Sequence, residues 1–188
     1  EIIALPAGAA AAIRVDEEEQ PLLALRCGQR GQRLDGEEDL VALVGDPGLD
    51  QITRFIHDNR PVLRHVRFMQ LTGGEPFLRD DLPAFFKAVN EALPRCMVWI
   101  PTNGLQPERT AEMTREMLLS VDEPLLGVTV SVDGEGESHD IQRGIDGSFK
   151  LAMATLKALS ELKQRHPSLS LSTGFTLTTL NFRQAPIV

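Results

Sequence analysis

Two hydrophobic rhythms alternate along most of this chain. Val66 to Leu71, Cys96 to Ile100, Leu125 to Val132 and Leu169 to Leu180 are largely apolar or β-branched runs, which predict buried β-strands. Between them the apolar positions recur every three or four residues, the period of a helix with one buried face. Leu82, Phe85, Phe86, Val89 and Leu93 form one such stripe, capped by Asp80 or Asp81 and stopped by Pro94. Phe149, Met153, Leu156, Leu159 and Leu162 form another, with Ser148 as its expected cap. The segment from Pro107 to Leu119 opens on a proline, which suits the first turn of a helix. Asp50 is the expected cap of a further helix bearing Ile52, Phe55 and Ile56, which ends near Asn59-Arg60-Pro61.

The N-terminal region is less regular. Glu1 to Leu5 and Ala11 to Val15 read as short strands around a turn at Pro6 to Ala10. Pro21 to Cys27 reads as a buried strand that runs into a polar, glycine-containing loop from Gly28 to Gly36. A short helix is expected over Glu37 to Val44, stopped by Gly45-Asp46-Pro47.

Strands alternating with helices at this spacing predict parallel strands joined by crossover helices. The fold class is therefore α/β, either a partial parallel barrel or a doubly wound sheet. Ligands in such folds bind at the carboxyl ends of the strands. The conspicuous polar clusters fall there. Gly73-Gly74-Glu75-Pro76 follows one predicted strand, Thr102-Asn103-Gly104 the next, Ser131 and Asp133 the third, and Asn181 the fourth. Paired glycines let a ligand approach bare backbone, while Pro76 biases Glu75 towards extended geometry. That combination suits a ligand with an ammonium group. Asn103-Gly104 and Asp133-Gly134 are also common turn pairs, so either alone would read as turn chemistry.

Taken together, Thr72-Gly73-Gly74-Glu75-Pro76, Thr102-Asn103-Gly104 and Ser131-Val132-Asp133-Gly134 resemble the radical S-adenosylmethionine superfamily. His139-Asp140-Ile141-Gln142-Arg143-Gly144 and Gly147-Ser148-Phe149 sharpen the resemblance. It is to the branch of sulfatase-maturing, peptide-modifying and cofactor-biosynthesis enzymes. The resemblance implies a partial parallel (β/α) barrel over residues 21–188 with about five strand–helix units, flanked by residues 1–20. A sixth unit and any C-terminal domain would lie beyond Val188. Because the chain begins at Glu1 rather than Met, it reads as a fragment or a processed chain.

The implied cofactor is S-adenosylmethionine. By position, Gly73, Gly74 and Glu75 would meet its amino group, and Asn103, Thr102 and Ser131 its ribose and carboxylate. Arg143 would meet the carboxylate, or else make a surface ion pair on a loop. Asp133 either hydrogen-bonds locally or touches ligand, and Asn181 matches a polar position at the family's fifth strand. The implied activity is reductive cleavage to a 5′-deoxyadenosyl radical, followed by hydrogen abstraction from a peptide or small-molecule substrate. An active protein would also need an electron donor.

That chemistry needs a four-iron, four-sulfur cluster, which the family holds with a Cys-x₃-Cys-x₂-Cys loop. Here Cys27 occupies the first position, while Gly31 and Leu34 stand at the other two and carry no ligand atom. Cys96 opens a strand and reads as a small buried hydrophobe. Three accounts of the loop are open. The chain is a degenerate member that binds S-adenosylmethionine or merely keeps the fold; its N-terminal part is altered relative to an active relative; or ligands come from a segment outside it. The rival function is accordingly a cluster-less, non-catalytic binding or regulatory domain. A doubly wound nucleotide enzyme is a weaker rival, because no Gly-x-Gly-x-x-Gly spacing follows the first predicted strand.

Composition narrows the partners. At 188 residues, 42% hydrophobic and 24% charged, the chain has a globular balance and room for one sizeable core. A formal net charge of −8, with no basic cluster, argues against nucleic acid or an anionic membrane as the main partner. Two cysteines form no disulfide framework, so a cytoplasmic location is expected.

Overall fold

Ala10–Val15 forms strand β1 and Leu23–Ala24 strand β2, which pair antiparallel. A computed structural model describes these two backbone segments and residues 48–182. The expectations for Glu1 to Leu5, Glu37 to Val44 and the loop holding Cys27, Gly31 and Leu34 lie outside the described residues. The described residues divide into two units at Ile100–Pro101.

The first unit continues with helices α1 (Leu49–Asp58) and α2 (Arg60–Leu63), and strand β3 (Val66–Thr72). A 3₁₀ turn at Pro76–Leu78, helix α3 (Leu82–Ala92) and strand β4 (Met97–Thr102) follow, with the division falling inside β4. Strand β3 pairs parallel with β4, with Met69 opposite Val98, and antiparallel with β1, with Ala12 opposite Gln70. The antiparallel neighbour departs from the expectation. Residues 10–15, assigned to a flanking segment, supply a strand hydrogen-bonded to β3, and β2 runs beyond it.

The predicted stripe of α3 is buried throughout, from Leu82 to Leu93. Asp81 stands at its cap position without capping it. Its carboxylate instead makes a bidentate pair with Arg79, at 2.8 Å on each oxygen, which holds Asp81 below the usual carboxylate range. Helix α1 likewise starts one residue before Asp50. Gly48 takes the cap position, and the Gln51 side chain accepts its N–H at 3.2 Å. Cys96 is fully buried at the amino end of β4, and burial pushes its thiol up to about 12. It packs as the inert hydrophobe expected of it.

The second unit contains helix α4 (Pro107–Leu119), strand β5 (Leu126–Ser131), helices α5 (Glu137–Arg143) and α6 (Ser148–Arg165), and strand β6 (Leu169–Gly174). Strands β5 and β6 pair parallel over their whole length, from Leu126 opposite Leu169 to Ser131 opposite Gly174. The architecture is thus α/β with parallel strands and alternating helices, consistent with the class the resemblance implies.

Three details of this unit correct the expectations. Helix α6 buries Ser148, Ala152, Thr155, Leu159 and Leu162, whereas Met153 is 44% exposed. The stripe is rotated because small residues seat the helix closely against Gly104. Thr155 Oγ1 donates to the Gly104 carbonyl at 2.7 Å, and a Cβ at Gly104 would lie 3.0 Å from the Ala152 backbone. Ser148 is the first helical residue rather than the cap. The Asp140 carboxylate serves the helix end instead, accepting from Gly147 N at 2.8 Å, Phe149 N at 2.7 Å and Ser148 Oγ at 2.9 Å. Those bonds, led by Phe149 N–H, hold Asp140 below its ordinary range.

Finally, β6 ends at Gly174 instead of running to Leu180. The Thr178–Phe182 segment folds on itself, with Asn181 Oδ1 accepting from Thr178 N at 2.7 Å. A side chain that bonds nearby backbone competes with a strand ladder, and here it prevails.

Candidate cofactor site

In the first unit, β3 delivers the chain to Thr72, and Gly73 and Gly74 follow at its carboxyl end. Gly74 is exposed and Gly73 partly so, which leaves their backbone accessible. Glu75 is extended, with φ −124° and ψ 109°, as the following proline demands. Its Oε1 accepts from Phe77 N at 3.3 Å, so the carboxylate is tethered over the 3₁₀ turn, and Phe77 is buried beneath. The corner therefore presents bare backbone beside a carboxylate of restricted freedom.

The other candidates lie in the second unit. Thr102, buried, accepts from Gly104 N at 3.1 Å, and Asn103 Oδ1 accepts from Leu105 N at 3.0 Å. These are turn-forming bonds, and they orient the two side chains at the end of β4. Ser131 is the last residue of β5 and is half-buried.

Asp133, two residues on, is buried at the centre of a network. Its Oδ1 accepts from Thr176 N at 2.7 Å, and its Oδ2 lies 2.8 Å from Arg143 Nη2. Its carbonyl accepts from Asn181 Nδ2 at 2.8 Å. Asn181 also donates to the Thr176 carbonyl at 2.8 Å, while its Oδ1 takes Thr178 N. The structure thus brings Asp133, Arg143 and Asn181 together, with the Asn181 amide engaged by the segment after β6.

Arg143 closes helix α5 instead of lying on a loop, and its ion pair is with a buried carboxylate rather than at the surface. Its side chain is 28% exposed, and among the described residues its Nε–H is buried without a partner. A guanidinium tethered by one nitrogen with donors to spare is well suited to a ligand carboxylate.

His139 and Asp140 entered the sequence argument only as part of a motif. His139 is fully buried, and its Nδ1 accepts from Asp133 N at 3.0 Å. Burial lowers its pKa from 6.5, the neighbouring Arg143 charge adds to this, and Asp133 and Asp140 oppose it. The signal available in the sequence was spacing. His139 and Arg143 stand four apart, one turn of α5, on a single helix face.

No family model matches the chain. Among characterised proteins, the chain is 33% identical over 158 residues to pre-heme d1 synthase of Dinoroseobacter shibae, covering 81% of this chain and 33% of that protein. It is 28% identical over 168 residues to Fe-coproporphyrin III synthase of Methanosarcina barkeri, covering 89% of this chain and 37% of that protein. A GTP 3′,8-cyclase of Mannheimia succiniciproducens is 29% identical over 99 residues, half of this chain and 29% of the cyclase. All three are radical S-adenosylmethionine enzymes. Over most of its length the chain is thus similar to radical S-adenosylmethionine enzymes. It spans about a third of the length of these relatives.

The donor chemistry of the strand-end residues fits the nucleotide of this superfamily. Glu75 in the first unit complements an ammonium group, and in the second unit the Arg143 Nε–H, unpartnered among the described residues, complements a carboxylate. The cysteine loop does not fit the cluster in the same way, because Gly31 and Leu34 supply no thiolate; that loop lies outside the described residues. Among the described residues, no helix is long and apolar enough to cross a membrane.

Proposed function

We propose that this chain is a radical S-adenosylmethionine-type domain that binds the intact nucleotide without itself holding a four-iron, four-sulfur cluster. The observation that carries this reading is the contrast between two sets of residues. The strand-end set (Gly73, Gly74, Glu75, Thr102, Asn103, Ser131 and Arg143) retains donors and acceptors for the nucleotide. The cysteine loop keeps only Cys27.

In this proposal, the backbone at Gly73–Gly74 and the Glu75 carboxylate take the amino group. Asn103, Thr102 and Ser131 take ribose and carboxylate oxygens, and Arg143 takes the carboxylate. Asp133 and Asn181 orient Arg143 and the turn after β5 rather than contact the ligand, since their polar atoms are engaged within the protein. A cluster, were one bound, would supply the electron for reductive cleavage; no such step is assigned to residues of this chain.

Glu75→Ala tests the amino-group contact. Losing a charge-assisted bond worth about 1.5–3 kcal/mol should weaken S-adenosylmethionine binding by about tenfold or more in calorimetry. Unchanged affinity would remove Glu75 from the site.

A second reading is that a longer protein containing this domain performs the family's hydrogen abstraction. The relatives favour it, and between the two expected substrate classes they favour a small molecule over a peptide. Anaerobic reconstitution with iron and sulfide separates the two readings. A near-stoichiometric cluster, with deoxyadenosine formed under reductant, would replace the binding-domain reading with the catalytic one.

A further inference from the structure

His139 is not among the residues assigned to the nucleotide, yet three features of its surroundings give it a task. Its Nδ1 accepts the Asp133 backbone N–H at 3.0 Å, so its ring proton must sit on Nε2. The ring is fully buried and packs against Phe149 of α6, with centroids 5.9 Å apart. One helical turn along α5, Arg143 reaches the side chain of that same Asp133.

The charged groups facing the imidazole are Arg143 and Asp140 on its own helix and Asp133 from the turn after β5. Both carboxylates are already engaged. Asp133 binds Arg143 and Thr176 N, and Asp140 binds the start of α6. An imidazolium carries a proton on both nitrogens and cannot accept the Asp133 N–H. It would also place a buried cation beside the Arg143 guanidinium.

We propose that His139 is a positioning residue for the nucleotide site: as the neutral Nε2–H tautomer it fixes the Asp133 turn, and Asp133 in turn aims the Arg143 guanidinium. The inference rests on the reading that Arg143 meets the ligand carboxylate. The nucleotide is then held well only while His139 is neutral, so acid loosens binding through a residue that never contacts the ligand.

Two substitutions and two readouts test it. In His139→Asn the side-chain oxygen can stand where Nδ1 stands, accepting the same N–H without titrating; His139→Leu removes the acceptor. Affinity for S-adenosylmethionine is measured from about pH 5.5 to about pH 8, across the range in which histidine titrates. Wild type should lose about tenfold at the acid end, His139→Asn should hold nearly constant affinity, and His139→Leu should be weak throughout. The second readout uses no ligand. Nitrogen NMR of the full chain should show His139 as the Nε2–H tautomer. The Arg143 Nε–H signal should be slow to exchange in wild type and His139→Asn but lost in a folded His139→Leu.

A proton on Nδ1, or Arg143 signals indifferent to both substitutions, overturns the relay whatever the nucleotide does. A wild-type affinity that is flat with pH, or a His139→Leu protein that binds as tightly as wild type, overturns it as well. An intact relay in a chain that binds no nucleotide at any pH would uphold the positioning network and overturn the cofactor reading instead.

Discussion

A carboxylate as deeply buried as that of Asp133 is tolerated because each oxygen has a matched donor: Thr176 N–H on one side, the Arg143 guanidinium on the other. His139 is matched on one side only, its neutral ring accepting the Asp133 N–H at Nδ1 while Nε2 is buried without a partner among the described residues, and the Nδ1 bond has a consequence for acid stability. Folding lowers the His139 pKa below its ordinary 6.5, chiefly through burial. The unfolded chain therefore takes up the proton first as pH falls. The contribution of the neutral ring is complete above pH 6.5 and is lost progressively below it. Melting temperatures taken over that range should fall with pH in wild type, and the histidine-dependent part of the fall should vanish in His139→Asn. None of this was legible at the level of single residues. A sequence shows that a histidine and an arginine share a helix face, but not that one aspartate between them meets both.

At the scale of elements, periodicity located α3 well, because large apolar side chains on one face have a single way to be buried, and Pro107 marked the start of α4. It misplaced the face of α6. Five bulky residues define one stripe there, yet the helix buries Ala152 and Thr155 in preference to Met153. Close packing on Gly104, fixed by the Thr155 hydroxyl, prevails over the bulk of one methionine. Gly104 sits at φ +73°, and an added Cβ would meet Val130 Cγ1 at 2.9 Å as well as the Ala152 backbone. Gly104→Ala should therefore cost about 2–4 kcal/mol in urea unfolding, the sum of left-handed strain and overpacking. A cost near zero would mean that α6 is not seated there as described. Helix caps were misjudged for a related reason. Asp81, Ser148 and Asp50 each stand near a helix start, but Asp81 found Arg79, Ser148 serves Asp140, and Gly48 displaced Asp50. Capping side chains are interchangeable over a residue or two, and tertiary partners choose among them.

For the molecule as a whole, the informative pattern was the placement of polar clusters after successive strands. It survives in the structure for Gly73–Glu75, Thr102–Asn103 and Ser131–Asp133, each at or just past a strand end. For Asn181 it does not, because β6 stops at Gly174 and a folded segment carries Asn181 back to Asp133. The likeness to radical S-adenosylmethionine enzymes rests on that pattern together with the relatives, whereas the function of this chain turns on the cysteine loop. If the strand-end residues hold the nucleotide as proposed, a chain with one of the three loop thiolates should bind it in the absence of iron. Calorimetric titration of S-adenosylmethionine into the iron-free chain measures this directly. Saturable binding of about one equivalent per chain, at a dissociation constant in the range of roughly micromolar to millimolar, is the predicted result. No heat of binding until iron and sulfide have been restored would contradict it, and would return the chain to the cluster-dependent members of its superfamily.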